Sequence, residues 1–327
     1  MTAPRQTEPI GSSEREVIVA DVLGFCWGVR RALELVRIAA RERPVAALGD
    51  IIHNPVAVEQ LHADGVIPVV DAVSAKAQGF TRVAITAHGA PPQRYEECAD
   101  LGLEVVDTTC PLVTKVQRLA RRLAQQGYFI VVYGDRSHPE VRGVLGWAAT
   151  SRAVAVCDVS ELPWTGPRGS ETNAPPPRKV ALISQTTKRT DEFVRFAQSL
   201  LSWVLPHGGE LRIVNTICQP TWERQEALAR LAQRVDLVLV VGGRKSSNSA
   251  RLVELCRDYG IPSHLIERPD DVDPRLVEGI QRIGVTAGAS TPDEVILAVI
   301  QRLCALGYPA PKQLWQTDDP EVIDFIE

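Results

Sequence analysis

The fold is decided by a stretch near the start of the chain, VIVADVLGFCWGVRRALELV at residues 17–36, in which a β-branched run leads through a turn with one cysteine into an amphipathic run. The same pattern returns as LEVVDTTCPLVTKVQRLARRL at residues 103–123 and as LRIVNTICQPTWERQEALARL at residues 211–231. Apolar residues that switch from strand-like to helical spacing are typical of α/β proteins with parallel sheets. Self-similarity on this scale indicates related units. We therefore predict three small, pseudo-threefold-related α/β lobes with mostly parallel sheets, arranged as a trefoil around a central cavity.

Each repeat continues with two further strands, and polar residues follow both of them. These residues are His53 and His88 in the first repeat, His138 and Thr186 in the second, and Ser246 and Ser290 in the third. Strand signals outside the three cysteine stretches lie at residues 82–86, 128–134, 180–184, 236–243 and 282–288. Since ligands collect beyond the carboxyl ends of parallel strands, we expect all these polar positions to face one site.

The repeat also predicts the lobe boundaries, which fall close to the second and third cysteines. We expect a peripheral extension at 1–15, lobe 1 at 16–109, lobe 2 at 110–214, lobe 3 at 215–307 and a tail at 308–327. A segment dense in Pro and Gly at 163–178 reads as a surface insertion in lobe 2. The pattern leaves open whether the first strand pairs within lobe 1 or crosses to another lobe.

Composition narrows the class of protein. Of 327 residues, 45% are apolar and 23% charged, which is enough to fill globular cores. The net charge of -4 offers no overall attraction to nucleic acid or to an anionic membrane, so neither is an expected partner. No apolar run is long enough to span a bilayer and the first residues are polar, so we expect a cytoplasmic protein.

Three of the seven cysteines, Cys26, Cys110 and Cys218, occupy equivalent places in the repeats and are expected to converge. Structural zinc normally takes four ligands from closely spaced pairs, and no such pairs occur here. A [4Fe-4S] cluster usually has four cysteine ligands, so three would leave one iron open to a substrate oxygen and easily lost. We predict this three-cysteine centre. The other four thiols are expected in hydrophobic cores; they are Cys98, Cys157, Cys256 and Cys304.

The polar loops around the cysteines predict an anion site. Several begin helices, whose N–H groups favour anions, and Ser246, Ser247, Asn248 and Ser290 add donors. With two histidines nearby, the pocket suits a diphosphate. Glu140, in the HPE turn at 138–140, is the one carboxylate in the set and is able to carry a proton to a leaving hydroxyl.

The chain resembles the 4-hydroxy-3-methylbut-2-enyl diphosphate reductase family. The resemblance rests on an ordered set of motifs covering residues 17 to 300: GFCWGVRRA, IIHNPVAVEQL, TAHG, DTTCPLVTKV, SHPEVRG, SQTT, ICQPTWERQEA, GGRKSSNSARL and TAGASTPDE. Trp27 is bulkier than the small residue often found after the first cysteine, and Gln219 and Pro220 follow the third where members of the family vary. These differences remove no expected ligand.

The resemblance implies a reductive dehydroxylation of an allylic diphosphate, the last step of the methylerythritol phosphate route to isoprenoids. It implies that the three cysteines hold the cluster, that Glu140 delivers a proton and that Thr186 orients the hydroxyl or a water. The remaining residues would bind the diphosphate; they are His53, His88, His138, Ser246, Ser247, Asn248 and Ser290. Electrons would come from ferredoxin or flavodoxin, because no dinucleotide fingerprint is present.

Two other functions remain open at this point. A non-enzymatic iron-sulfur sensor would need the cluster but no proton donor, so Glu140 and Thr186 speak against it. A redox-neutral iron-sulfur hydro-lyase would use an open iron without net electron input. Dependence on a reductant separates the hydro-lyase from the reductase.

Overall fold

The computed structural model describes residues 15–149, 151–164, 175–313 and 315. Its strands are β1 Glu16–Val19, β2 Val45–Leu48, β3 Val66–Val69, β4 Arg82–Ile85, β5 Glu104–Asp107, β6 Phe129–Tyr133, β7 Ala153–Val156, β8 Lys179–Ser184, β9 Glu210–Ile213, β10 Leu237–Val241, β11 Ser263–Ile266 and β12 Arg282–Ala287. Its α-helices are α1 Trp27–Glu42, α2 Pro55–Ala63, α3 Ala72–Ala77, α4 Pro92–Asp100, α5 Pro111–Gln125, α6 Pro139–Ala148, α7 Thr190–Val204, α8 Gln219–Ala232, α9 Ser247–Asp258, α10 Pro274–Val277 and α11 Asp293–Ala305.

The strands form three four-stranded sheets in which every pairing is parallel. The first sheet has the order β3-β2-β4-β5, the second β7-β6-β8-β9 and the third β11-β10-β12-β1. The three orders are equivalent, with β1 taking the place in the third sheet that β5 and β9 take in the others. The prediction of three parallel-sheet α/β lobes is confirmed.

Strand β1 settles the point that the sequence left open. It pairs with β12, Val17 lying opposite Ile283, and so belongs to the third sheet although it begins the segment expected for lobe 1. The first strand of the chain therefore lies in the third lobe, and the chain passes to the first lobe at Cys26. In the same way Cys110 follows β5 of the first sheet, and Cys218 follows β9 of the second.

Each cysteine-led helix packs against the sheet that comes next along the chain. Ala32 and Val36 of α1 share a buried cluster with Val45 of β2. In the other two lobes, α5 packs likewise with β6 and β8, and α8 with β10 and β12. Helices cover both faces of these parallel sheets, which is why strands such as β10 are apolar and buried along their whole length.

The sequence located half of the strands from their β-branched runs, namely β1, β4, β6, β8, β10 and β12. Strands β5 and β9 were contained in the two later cysteine stretches, and β2 was expected only from the repeat, as the strand before His53. The outer strands β3, β7 and β11 gave no separate signal. Most of the 163–178 segment, nearly all of the 1–15 extension and the end of the 308–327 tail lie outside the described residues.

Among the described residues, no helix combines the length and apolar character that a membrane span requires.

We expect Val17→Ala to weaken the third lobe although this residue begins the chain's first repeat. Val17 is buried in the core of the third sheet, and truncation of a buried aliphatic side chain costs about 1–3 kcal/mol. Hydrogen exchange should quicken in β10 and β12 and stay unchanged in β2 and β4. Val70→Ala, at an exposed position, is the matched control. Loss of protection confined to the first sheet would contradict the crossing of β1.

Candidate functional site

The loops beyond the carboxyl ends of the three sheets meet around one cavity. All twelve side chains singled out from the sequence line it: Cys26, Cys110, Cys218, His53, His88, His138, Glu140, Thr186, Ser246, Ser247, Asn248 and Ser290. They come from every lobe, so the cavity exists only in the assembled trefoil.

The three cysteines are held by the same backbone contact. Each cysteine directly precedes a helix. The backbone is extended at Cys26 and Cys218 and has a similar conformation at Cys110. The backbone amide of each cysteine donates to a carbonyl just beyond the end of a strand, which is β12 for Cys26, β4 for Cys110 and β8 for Cys218. The pairs are Cys26 N with Ala289 O at 3.1 Å, Cys110 N with Ala87 O at 3.0 Å and Cys218 N with Thr186 O at 3.0 Å. This repeated bond points all three residues toward the cavity from equivalent positions.

Gly28 shows how closely two of the thiols approach. A Cβ at this position would lie 2.6 Å from Cys110 Sγ and 3.9 Å from Cys26 Sγ, so both sulfurs lie close to this glycine. Any larger residue would collide with Cys110. Gly28 is therefore a part of the site that the sequence analysis missed; its place in the first turn after Cys26 was the available signal.

The three cysteines are partly buried, and burial disfavours the charged form of two of them. It raises the pKa of Cys110 and raises that of Cys218 to about 11. Cys26 and Glu140 act on both thiols in the same direction, which reflects their closeness. Metal ligation requires thiolates, so loading a metal centre here has to displace protons.

The three histidines form a compact cluster. The rings of His53 and His88 stack with centroids 4.1 Å apart, and His138 meets them edge-on at 5.5 and 5.4 Å. His138 Nδ1 accepts from the amide of Glu140 at 3.2 Å, which leaves the proton of the neutral ring on Nε2. His53 Nδ1 is buried without a partner among the described residues.

Burial keeps this histidine cluster neutral. It is the largest cause lowering the pKa of His53 and His88, and it lowers the pKa of His138 to about 4. Mutual repulsion between the rings acts in the same direction for His88 and His138. An anion would reverse this balance, because its charge favours the protonated rings.

The ring geometry suits an anion better than a metal ion. One nitrogen of each ring lies within 4.8 Å of the others, a spacing that alone is compatible with a metal. Metal ligation needs lone pairs converging on one point at about 2.0–2.1 Å. The His53 and His88 rings are stacked and only 24° from parallel, so lone pairs in the two ring planes do not converge on one point. Such a pair fits separate oxygens of a polyanion.

Glu140 is the buried acid of the site. It is 2% exposed and lies in the first turn of α6. Thr186 holds both carboxyl oxygens, its amide donating to Oε1 and its hydroxyl to Oε2, each at 2.7 Å. Burial raises the pKa of Glu140, and the two Thr186 bonds oppose that shift only partly. A carboxyl group in this setting retains a proton more readily than an exposed one and is fixed in orientation.

The start of α9 supplies polar atoms that lack partners. Asn248 is 4% exposed, and neither its side-chain oxygen nor its nitrogen has a partner among the described residues. Such buried orphan groups are costly and therefore point to a missing ligand. Ser290 donates to Ser246 at 3.3 Å, and Thr187 donates to Ser247 at 3.0 Å. Thr187, which the sequence analysis overlooked, adjoins Thr186 and also lines the cavity.

The remaining cysteines lie outside this cavity, and one expectation about them is wrong. Cys98 and Cys256 are fully buried and Cys304 is partly buried against the third-lobe core, but Cys157 is exposed. Cys157 ends the outer strand region of the second sheet, where Lys188 Nζ donates to its sulfur at 3.4 Å. Its apolar neighbours in sequence gave no indication of that exposure.

The low pKa of His138 predicts a pH-dependent stability. In the unfolded chain the group titrates near its ordinary 6.5, so below that pH the unfolded state binds more protons and the free energy of unfolding falls. Above pH 6.5 the His138 ring is neutral in both the folded and the unfolded state, so this loss of stability is absent. Between pH 7 and pH 5 the wild type should lose up to about 2 kcal/mol relative to His138→Gln, as measured by urea unfolding. Parallel stability profiles for the two proteins would contradict the neutral buried ring.

Comparison with known proteins agrees with this geometry. A family model described as LytB protein matches residues 17–304. A 4-hydroxy-3-methylbut-2-enyl diphosphate reductase from Dehalococcoides mccartyi is 37% identical over 291 residues, covering 88% of this chain and 97% of the relative. A reductase of the same name from a Geobacter species is 39% identical over 295 residues, covering 89% and 98%.

Solved structures share the fold. The E-1-hydroxy-2-methyl-but-2-enyl-4-diphosphate reductase from Plasmodium falciparum has a TM-score of 0.82 at 26% identity, covering 94% of both chains. A structure of (E)-4-hydroxy-3-methyl-but-2-enyl diphosphate reductase, described as the terminal enzyme of the non-mevalonate pathway, has a TM-score of 0.62 at 33% identity and covers 89% of this chain and 99% of that one. Since the family model spans most of the chain and these relatives align over nearly its whole length, the chain belongs to the LytB protein family.

Proposed function

We propose that this chain reduces (E)-4-hydroxy-3-methylbut-2-enyl diphosphate to isopentenyl and dimethylallyl diphosphates. The observation that carries the proposal is the single cavity in which three equivalently anchored cysteines face a buried carboxyl group and a ring of anion-binding groups. The names of the relatives at 37% and 39% identity point to the same reaction.

The cysteines are suited to a [4Fe-4S] cluster with one iron that has no protein ligand. Cys26 and Cys110 approach each other beside Gly28, Cys218 lines the same cavity, and no fourth cysteine is among the residues that line it. When bound, such a cluster supplies electrons and an iron with a free coordination position. The chain itself supplies the thiolates, the burial that excludes water and the groups that hold the substrate.

The diphosphate would occupy the side of the cavity formed by the histidines and the start of α9. The stacked rings of His53 and His88 lie here, and the orphan amide of Asn248 and the hydroxyls of Ser246, Ser247 and Ser290 add donors. His138 completes this side of the ring. The N-terminus of α9 favours negative charge. Taking up protons on binding, the rings would become stronger donors to phosphate oxygens.

Glu140 would deliver the proton that lets the hydroxyl leave as water. The overall change consumes two electrons and two protons, breaks the C–O bond and releases one water together with the reduced product. Thr186 fixes the Glu140 carboxyl through two bonds, so the acid is oriented before substrate arrives. Burial raises the pKa of Glu140, which favours the protonated form that a proton donor needs.

The electrons have to come from outside the chain. We propose ferredoxin or flavodoxin as the donor, because the sequence holds no dinucleotide-binding fingerprint. We place the reaction in the cytoplasm, where such donors and a reduced thiol centre are compatible.

The test of the proposal is turnover of the allylic diphosphate by anaerobically reconstituted protein with a low-potential donor. Formation of both isoprenoid diphosphates only when reductant is present supports a reductase. A dehydration product formed without reductant would indicate a hydro-lyase, and no product from protein replete in iron and sulfide would leave a sensor as the better description.

Cysteine replacement tests the metal centre independently of turnover. We expect Cys110→Ser to lower the iron and sulfide content after anaerobic reconstitution and to remove the brown colour, since the cluster loses a thiolate. Cys304→Ser is the matched control, because that thiol packs against the third-lobe core away from the cavity. Equal iron content in the two variants would contradict ligation by Cys110.

Glu140→Gln tests the proton donor. The amide keeps the size of the side chain and cannot release a proton, so turnover should fall by roughly 10²–10⁴-fold while the cluster absorption remains. Glu192→Gln, which alters a carboxylate bonded to Tyr133 outside the cavity, should leave turnover unchanged. Wild-type rates in Glu140→Gln would rule out this assignment.

A further inference from the structure

Arg224 is a buried cation next to the cysteine loops, and the proposed function assigns it no role. It lies in the second turn of α8 and is 3% exposed. Nη1 donates to the carbonyl of Pro220 at 2.8 Å, and Nη2 donates to that of Gly24 at 2.5 Å. One guanidinium therefore joins the start of the helix led by Cys218 to the loop that carries Cys26.

This arginine has no carboxylate partner in the part of the chain that the structure describes. It forms no ion pair among the described residues, and its Nε has no hydrogen-bond partner there. The two other buried arginines of the described chain differ: Arg82 pairs with Glu42 and Glu104, and Arg189 with Asp191, Glu192 and Asp258. Burying an unpaired charge costs several kcal/mol in general, so Arg224 requires another source of negative charge.

The electrostatic surroundings identify that source. Burial lowers the pKa of Arg224, and the influences that oppose this shift come first from Cys26, then from Cys218 and only then from Glu223. The carbonyls that Arg224 contacts, at Gly24 and Pro220, each lie two residues along the chain from one of these cysteines. Metal ligation requires thiolates, so both cysteines carry negative charge as ligands of a metal centre. Arg224 and a thiolate centre therefore carry opposite charges, and each can neutralise the other.

We propose that Arg224 is the counter-ion of the cysteine centre and the positioning residue for two of its three ligands. This inference rests on the proposed function. Its two carbonyl contacts hold the Cys26 and Cys218 loops together, and its charge favours the more negative, reduced state of a cluster bound there. A cation fixed in a buried setting beside the ligands raises a reduction potential, because it stabilises the added electron and solvent screens it poorly.

The test is an anaerobic redox titration, followed by electron paramagnetic resonance, of reconstituted protein. Arg224→Gln removes the charge and keeps an amide donor, whereas Arg224→Lys keeps the charge and loses the planar fork. Arg230→Gln is the matched control. Arg230 is on the same helix as Arg224, but it is exposed and pairs with Asp21. Iron, sulfide and circular dichroism are measured for every variant.

We expect Arg224→Gln to lower the ratio of reduced to oxidised cluster about tenfold at a fixed poise, which for a one-electron couple is a shift of about 59 mV to lower potential. Arg224→Lys should stay nearer to the wild type, and Arg230→Gln should match it. An unchanged potential in Arg224→Gln, or equal shifts in the Gln and Lys variants, would overturn the charge role.

If Arg224→Gln fails to fold or to retain the cluster, Arg224→Lys decides. Retention of the cluster at a near wild-type potential in the Lys variant supports the counter-ion, and loss of the cluster from both variants overturns it. Wild-type protein that binds no iron and sulfide would contradict the proposed function itself, whereas a cluster whose potential ignores residue 224 would overturn only this inference.

Discussion

The hydrogen bond from each cysteine amide to a carbonyl beyond a neighbouring strand is the contact on which the rest of the site depends. It occurs three times, at Cys26, Cys110 and Cys218, and each time it links the start of a helix to the edge of a parallel sheet. Each of these three cysteines also lies where the chain passes from one lobe to the next. The lobes must therefore close into a ring before the thiols can meet, and β1 provides that closure by joining the third sheet.

Burial in the closed cavity separates the protonation states of its groups. It lowers the pKa of the histidines and raises the pKa of Glu140, Cys110 and Cys218, because each prefers its neutral form away from water. A polyanion beside the histidines and thiolates beside Arg224 would each supply negative charge that these groups can pair with.

Much of the site could be predicted from the sequence because its residues recur at equivalent strand ends. Cys26, Cys110 and Cys218 stand in matching places of a repeat, and parallel strands present their carboxyl ends on one edge. Gly28 and Arg224 could not be found in this way. Their importance comes from contacts across lobes, with Cys110 in one case and Gly24 in the other, and nothing in local periodicity encodes such contacts.

The sequence by itself determined the α/β class, the threefold repeat and the identity of the chemical groups, because strand and helix periodicity and the position of a residue at a strand end are local properties. Only the tertiary structure decided that β1 belongs to the third sheet, that His53 and His88 stack, that Cys157 is exposed and that Arg224 is buried without a carboxylate. Those outcomes depend on how the three lobes pack, since pairing partners, ring contacts and burial are set by residues far away along the chain.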